Sequence, residues 1–175
     1  MLKLKLAFTG AALLMTGMTV ALAHVSLENP EAQVGSTYKA VLRVPHGCDG
    51  EPTVKVRVHI PEGVIAIKPM PKAGWKLDKV TSKYEQSYDY YGKATDVGVT
   101  EVVWSNGNLA DDEYDEFVFR AFLTPDLKVG KIVYFPVVQE CSDGATERWI
   151  EIPAEGKNAD DYEMPAPGTK IVPKK

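Results

Sequence analysis

The clearest pattern in the chain is Val54-Lys55-Val56-Arg57-Val58-His59-Ile60, where apolar and polar side chains alternate without a break. Successive side chains of a strand point to opposite faces, so this spacing predicts a strand with one buried face and His59 on the wet one. Tyr38 to Val44 has the same rhythm, with Tyr38, Ala40, Leu42 and Val44 inward, and Pro45 and Gly47 stop it. Pro61-Glu62-Gly63 then turns the chain into Val64–Ile67. Further strands are expected over Gly74–Val80, Val99–Trp104, Phe117–Leu123, Ile132–Val138 and Glu147–Ile152. Phe117–Leu123 is apolar enough for a sheet centre, and Pro136 marks an edge or a bulge. Ser105-Asn106-Gly107-Asn108 predicts a turn. The tyrosine-rich stretch from Lys83 to Asp96 reads as a hairpin or a long loop. The acidic run Asp111–Glu116 reads as a solvated turn, because it lacks the alternating ligands and central glycine of an EF-hand.

No segment shows a helical period. Seven to nine short strands separated by turns predict an all-β fold, an antiparallel β-sandwich of immunoglobulin-like or cupredoxin-like shape. From Pro153 onward the pattern lapses. Prolines at 153, 165, 167 and 173 with Gly156 and Gly168 predict that residues 154–175 form a Pro-rich tail without a core. The expected domain is therefore residues 24–153.

Before it, Lys3 and Lys5 precede an apolar run from Leu6 to Val20, and Ala21-Leu22-Ala23 offers the small side chains that signal peptidase accepts. Residues 1–23 are expected to be a cleaved signal peptide, the run being too short for a secure membrane span. Export places the protein in the periplasm or outside the cell, with no stable membrane insertion after cleavage. Losing Lys3 and Lys5 takes the formal charge from −4 to −6, which argues against nucleic acid as a partner. The two cysteines, Cys48 and Cys141, favour a disulfide in an oxidising compartment; the rival reading is a pair of thiolate ligands for copper(I).

Cleavage after Ala23 makes His24 the first residue. Its α-amine and its Nδ1 can then close a chelate ring on one metal ion, and nitrogen donors of that kind suit copper(II). The nearest carboxylates are Glu28 and Glu31. Glu31 follows Pro30, where the chain can turn back, and is favoured over Glu28 on that ground. His46, in Pro45-His46-Gly47-Cys48, either donates to a loop carbonyl or reaches the same end of the sandwich as His24. Hydrolase and phosphate-loop motifs are missing: there is no Gly-x-Ser-x-Gly, no glycine-rich phosphate loop and no His-Glu-x-x-His.

Taken together, several motifs resemble the YcnI-type copper-binding domain. They are His24-Val25-Ser26-Leu27 with Glu31 and Val34-Gly35-Ser36, then Arg43-Val44-Pro45-His46-Gly47-Cys48, then Val58–Val64 with its Pro61-Glu62-Gly63. Pro71-Lys72-Ala73-Gly74-Trp75 and Asp143-Gly144-Ala145-Thr146-Glu147-Arg148-Trp149 complete the set. The likeness runs from His24 to about Pro153. It implies a periplasmic or secreted β-sandwich that binds copper(II) through a single-histidine brace at His24, with Glu31 completing the site and Trp149 beside the metal. An indole N–H only donates, so Trp149 would shape the site without ligating.

The leading expectation is a copper storage, trafficking or metallochaperone protein, not an enzyme, exchanging copper with other copper-transport or copper-chaperone proteins. Two alternatives stand beside it. A histidine-brace copper oxygenase would need His46 or His59 as a second imidazole at His24. A metal-free interaction module would need no site at all.

Overall fold

The computed structural model describes residues 24–175; the expected signal peptide, residues 1–23, lies outside them. The alternating segments become strands in chain order: β1 (Ser26–Leu27), β2 (Glu31–Gln33), β3 (Ser36–Val44), β4 (Thr53–His59), β5 (Val64–Pro69) and β6 (Lys76–Tyr90). There follow β7 (Lys93–Leu109), β8 (Asp115–Leu123), β9 (Ile132–Tyr134), β10 (Val137–Cys141), β11 (Thr146–Trp149) and β12 (Gly168–Val172). Among the described residues the only helical piece is a 3-10 turn at Ala159–Asp161.

Two sheets face each other, one ordered β1-β3-β8-β5 and the other β11-β10-β4-β7-β6. The pleat decides which side chains meet between them. On the first sheet Ala40 lies opposite Phe119 and Leu42 opposite Phe117. On the second, Val56 lies opposite Trp104 and Val58 opposite Val102. These eight side chains are at most 1% exposed and belong to one core. Each large one stabilises the fold by about 1.5–3 kcal/mol through burial. This is the all-β antiparallel sandwich the alternation predicts, with β8 inside its sheet. His59, on the outward face of β4, is exposed.

The stretch from Lys83 to Asp96 is a hairpin. β6 and β7 pair along their length and reverse at Tyr91-Gly92, both at positive φ (53° and 80°), which suits the right-handed twist of a two-residue hairpin. The hairpin also carries a small second core on the outer side of the first sheet, made by Tyr88, Ile65 and Phe122.

Two expectations need correction. Ser105–Asn108 is not a turn between elements: it lies within β7. Pairing with β4 slips there, from Lys55 opposite Ser105 to Thr53 opposite Leu109, so the Asn-Gly pair makes an irregularity inside a strand. Gly107 is required for close approach, because a Cβ there would meet the Trp75 ring at 2.1 Å.

Nor is the C-terminal stretch a tail without a core. β12 runs parallel to β2 and antiparallel to β9 as a third, three-stranded sheet. Ile171 is 1% exposed, and Thr169 and Ala166 are buried as well. Composition masked this because Gly168-Thr169-Lys170-Ile171-Val172 is a short alternating run between prolines. A Cβ on Gly168 would meet Ile132 and Tyr134, so that glycine lets strands approach rather than loosening the chain. Pro136 separates β9 from β10 and so hands the chain from the third sheet to the second.

Candidate functional site

His24 is not at a loose end. β1 pairs with the edge of β3, Ser26 opposite Arg43 and Leu27 opposite Leu42. Val25 and Leu27 are buried in the main core. That anchoring fixes His24 in the wall of a mainly apolar groove of about 410 Å³, which is also lined by Leu27, Pro30, Tyr134, Pro165 and Pro167. β12 and the segment before it form one wall, so the misread C-terminal stretch builds part of the site. The His24 ring lies against the Trp149 indole, centroids 5.9 Å apart and planes tilted by 60°. Its Nε2 is buried without a hydrogen-bond partner.

Trp149 closes β11 and is 4% exposed. Its Nε1–H donates to Gln139 Oε1 at 2.6 Å. Gln139, on β10, is fully buried, and its Nε2 donates to Thr53 Oγ1 at 2.9 Å and to the His46 carbonyl at 3.3 Å. Neither an indole N–H nor a backbone carbonyl can exchange roles, so the amide has one orientation. Thr53 Oγ1 lies 3.4 Å from Cys48 Sγ. The disulfide sulfur carries no proton, so the threonine donates. Sequence reading missed Gln139; the available signal was a polar side chain at an inward position of a strand, between Val137 and Cys141.

The other candidate residues are placed as follows. Cys48 and Cys141 form a disulfide with Cα atoms 5.9 Å apart, which removes the thiolate reading for copper(I). His46 stands beside it. Its Nδ1 donates to the Gly47 carbonyl at 2.8 Å and lies 4.0 Å from Asp111 Oδ1. Glu28 pairs with Arg43 at 3.6 Å on the surface. Glu31 is exposed at the start of β2 and lines a neighbouring groove with Val172 and Lys174. Pro30, immediately before it, lines the His24 groove.

Among the described residues no three His, Cys, Asp or Glu side chains gather as a metal cluster, and residues 1–23 contain none of these types. A metal at this end therefore needs a donor that is not a side chain. The α-amine of His24, once freed, is such a donor, held on an anchored strand beside its own imidazole. The donor set thus fits a nitrogen chelate of copper(II). The indole, its one N–H committed to Gln139, is left to present its ring to the imidazole.

No helix among the described residues is long and apolar enough to cross a membrane. No curated protein matches the chain. Among solved structures, an uncharacterized protein from Nocardia farcinica with an immunoglobulin-like fold matches with a TM-score of 0.65 at 23% identity, over 85% of this chain and 98% of its own. A cohesin module from a Clostridium perfringens family 33 glycoside hydrolase matches with a TM-score of 0.43 at 16% identity, over 86% of this chain and 97% of its own, too loosely to bear on function. The sandwich is thus immunoglobulin-like in architecture. A domain of unknown function, DUF1775, matches residues 24–171, taking in β12 as well as the site, and the chain belongs to that family.

Proposed function

We propose that this protein is an exported copper(II)-binding protein that stores or hands on copper, using the α-amine and Nδ1 of His24 after removal of residues 1–23. The observation that carries the reading is the placement of His24, anchored by β1, set against Trp149 and lining a groove. The resemblance to the YcnI-type domain points the same way. Glu31 is the proposed oxygen donor: it directly follows a groove residue, whereas Glu28 is already paired with Arg43. Copper(II) supplies the affinity for nitrogen donors; the chain supplies an anchored chelate, an apolar surround and an indole that limits water.

Storage or transfer is favoured over oxygenase chemistry because neither His46 nor His59 lines the His24 groove. The sequence holds three histidines in all. A copper-transport or copper-chaperone protein is the proposed partner, meeting the open groove in the periplasm or outside the cell.

Calorimetric titration tests this with two forms of the protein, one beginning at His24 with a free α-amine and one in which that amine is acetylated. The first is expected to bind one copper(II) ion tightly and the second to lose that binding. Equal binding by both would overturn the chelate.

A further inference from the structure

We infer that Gln139 is the positioning residue of the His24 site: it sets the Trp149 ring against the imidazole and ties that ring to the disulfide end of the fold. The inference rests on the copper reading of His24 for its effect on the metal, but its geometric part stands on the metal-free protein.

Trp149 is the last residue of β11, so backbone pairing restrains it from one side only, opposite Val137. Core packing confines its ring, and an engaged N–H adds a directional restraint on which edge of the indole faces the imidazole. Gln139 supplies that restraint at 2.6 Å, from a fully buried position two residues along β10.

Gln139 is itself held at three points, by Trp149, the Thr53 hydroxyl and the His46 carbonyl. An amide with its acceptor and both donor directions engaged cannot rotate without leaving a buried polar group unpaired, which costs about 1–3 kcal/mol. The run of donors is directional, from Trp149 through Gln139 and Thr53 to Cys48 Sγ. It therefore connects the face beside His24 to the Cys48–Cys141 bridge through side chains that are all at most 5% exposed.

This gives His46 and the disulfide a relation to His24 that involves no ligation. The His46 backbone, next but one to Cys48, accepts from the amide that holds the indole. Groups outside a metal's coordination sphere that orient those near it commonly change metal affinity by about ten- to hundredfold.

The test uses Gln139→Met, which keeps length but removes donors and acceptor, and Gln139→Glu, which keeps an acceptor for the indole. Nuclear magnetic resonance of the metal-free proteins follows the Trp149 indole N–H, identified by its loss in Trp149→Phe, and the His24 Hε1 signal, which senses the indole's ring current. The methionine variant is expected to move both signals, and the glutamate variant to keep the indole N–H near its native position. Copper(II) titration should then show the methionine variant weaker by about ten- to hundredfold, with glutamate recovering most of the loss. A lowered melting temperature alone would not move the His24 signal in a protein that remains folded.

An unmoved His24 signal in the methionine variant overturns the positioning role, as does native copper affinity there. Should the methionine variant fail to fold, loss of the indole signal in the glutamate variant overturns it and retention supports it. Absence of copper binding by the native protein would count against the chelate alone, since the metal-free signals still report on Gln139.

Discussion

Glu147 lies half-buried on β11, with Oε2 shielded from water and no hydrogen-bond partner. Burial raises its carboxyl above the ordinary range; His46 opposes that shift, while Asp111 and Asp49 add to it. A carboxyl raised on folding prefers to stay protonated in the native state, so its ionisation works against the fold. That opposition is absent below the unfolded value, near pH 4, and complete once the pH exceeds the raised native one. Glu147→Gln is accordingly expected to melt higher than the native protein at pH 7, with the gap closing below about pH 4. Thermal melts across that range check it, and an unchanged melting temperature at pH 7 would refute it. At this scale His24 and Trp149 could be picked out from motifs, because the types and the spacing survive in a linear string. Gln139 could not, since its importance comes from three partners on β4, β11 and the loop after β3, brought together only by pairing of strands far apart in sequence.

The elements show where local pattern suffices and where it fails. β3 and β4 are legible because each sets alternate side chains into one core and most outward positions are polar, whereas β8 is legible as a strongly apolar run whose outward Val118 and Phe122 are buried as well. Ser105–Asn108 misleads because Asn-Gly favours a turn only when nothing else claims the space, and here the Trp75 ring occupies the place of a Gly107 side chain. Gly107→Ala is therefore expected to destabilise the protein by roughly 1–3 kcal/mol through overpacking, read as a lower denaturant midpoint. A neutral result would mean that the ring does not pack there. β12 was hidden by its flanking prolines. Its buried Ile171 predicts that Ile171→Ala costs about 2–5 kcal/mol; a coreless tail would show almost no change in the same denaturation experiment.

At the scale of the whole molecule, both ends of the described chain meet. β1 and β2 follow His24, and β12 returns from the far end to pair with β2 and wall the groove. The opposite restraint is the disulfide, spanning 93 residues between the loop after β3 and the end of β10. Replacing both cysteines by serine is expected to lower stability by about 2–5 kcal/mol, measured as the difference in denaturant unfolding between the two proteins. A serine pair as stable as the native chain would contradict the disulfide's role as a restraint. The sandwich class was readable because it depends on many alternating segments at once. The meeting of the two termini was not, because a parallel pairing between β2 and β12 leaves no local mark in either segment.

The claim on which the function depends is that His24, freed at its amine, holds copper(II). Electron paramagnetic resonance of protein recovered from its natural source, with mass spectrometry of its N-terminus on the same sample, tests it most directly. The expected result is a mature chain beginning at His24 and an axial copper(II) signal with nitrogen coupling that disappears in His24→Ala. A chain beginning at another residue, or the same signal in the alanine variant, would contradict it.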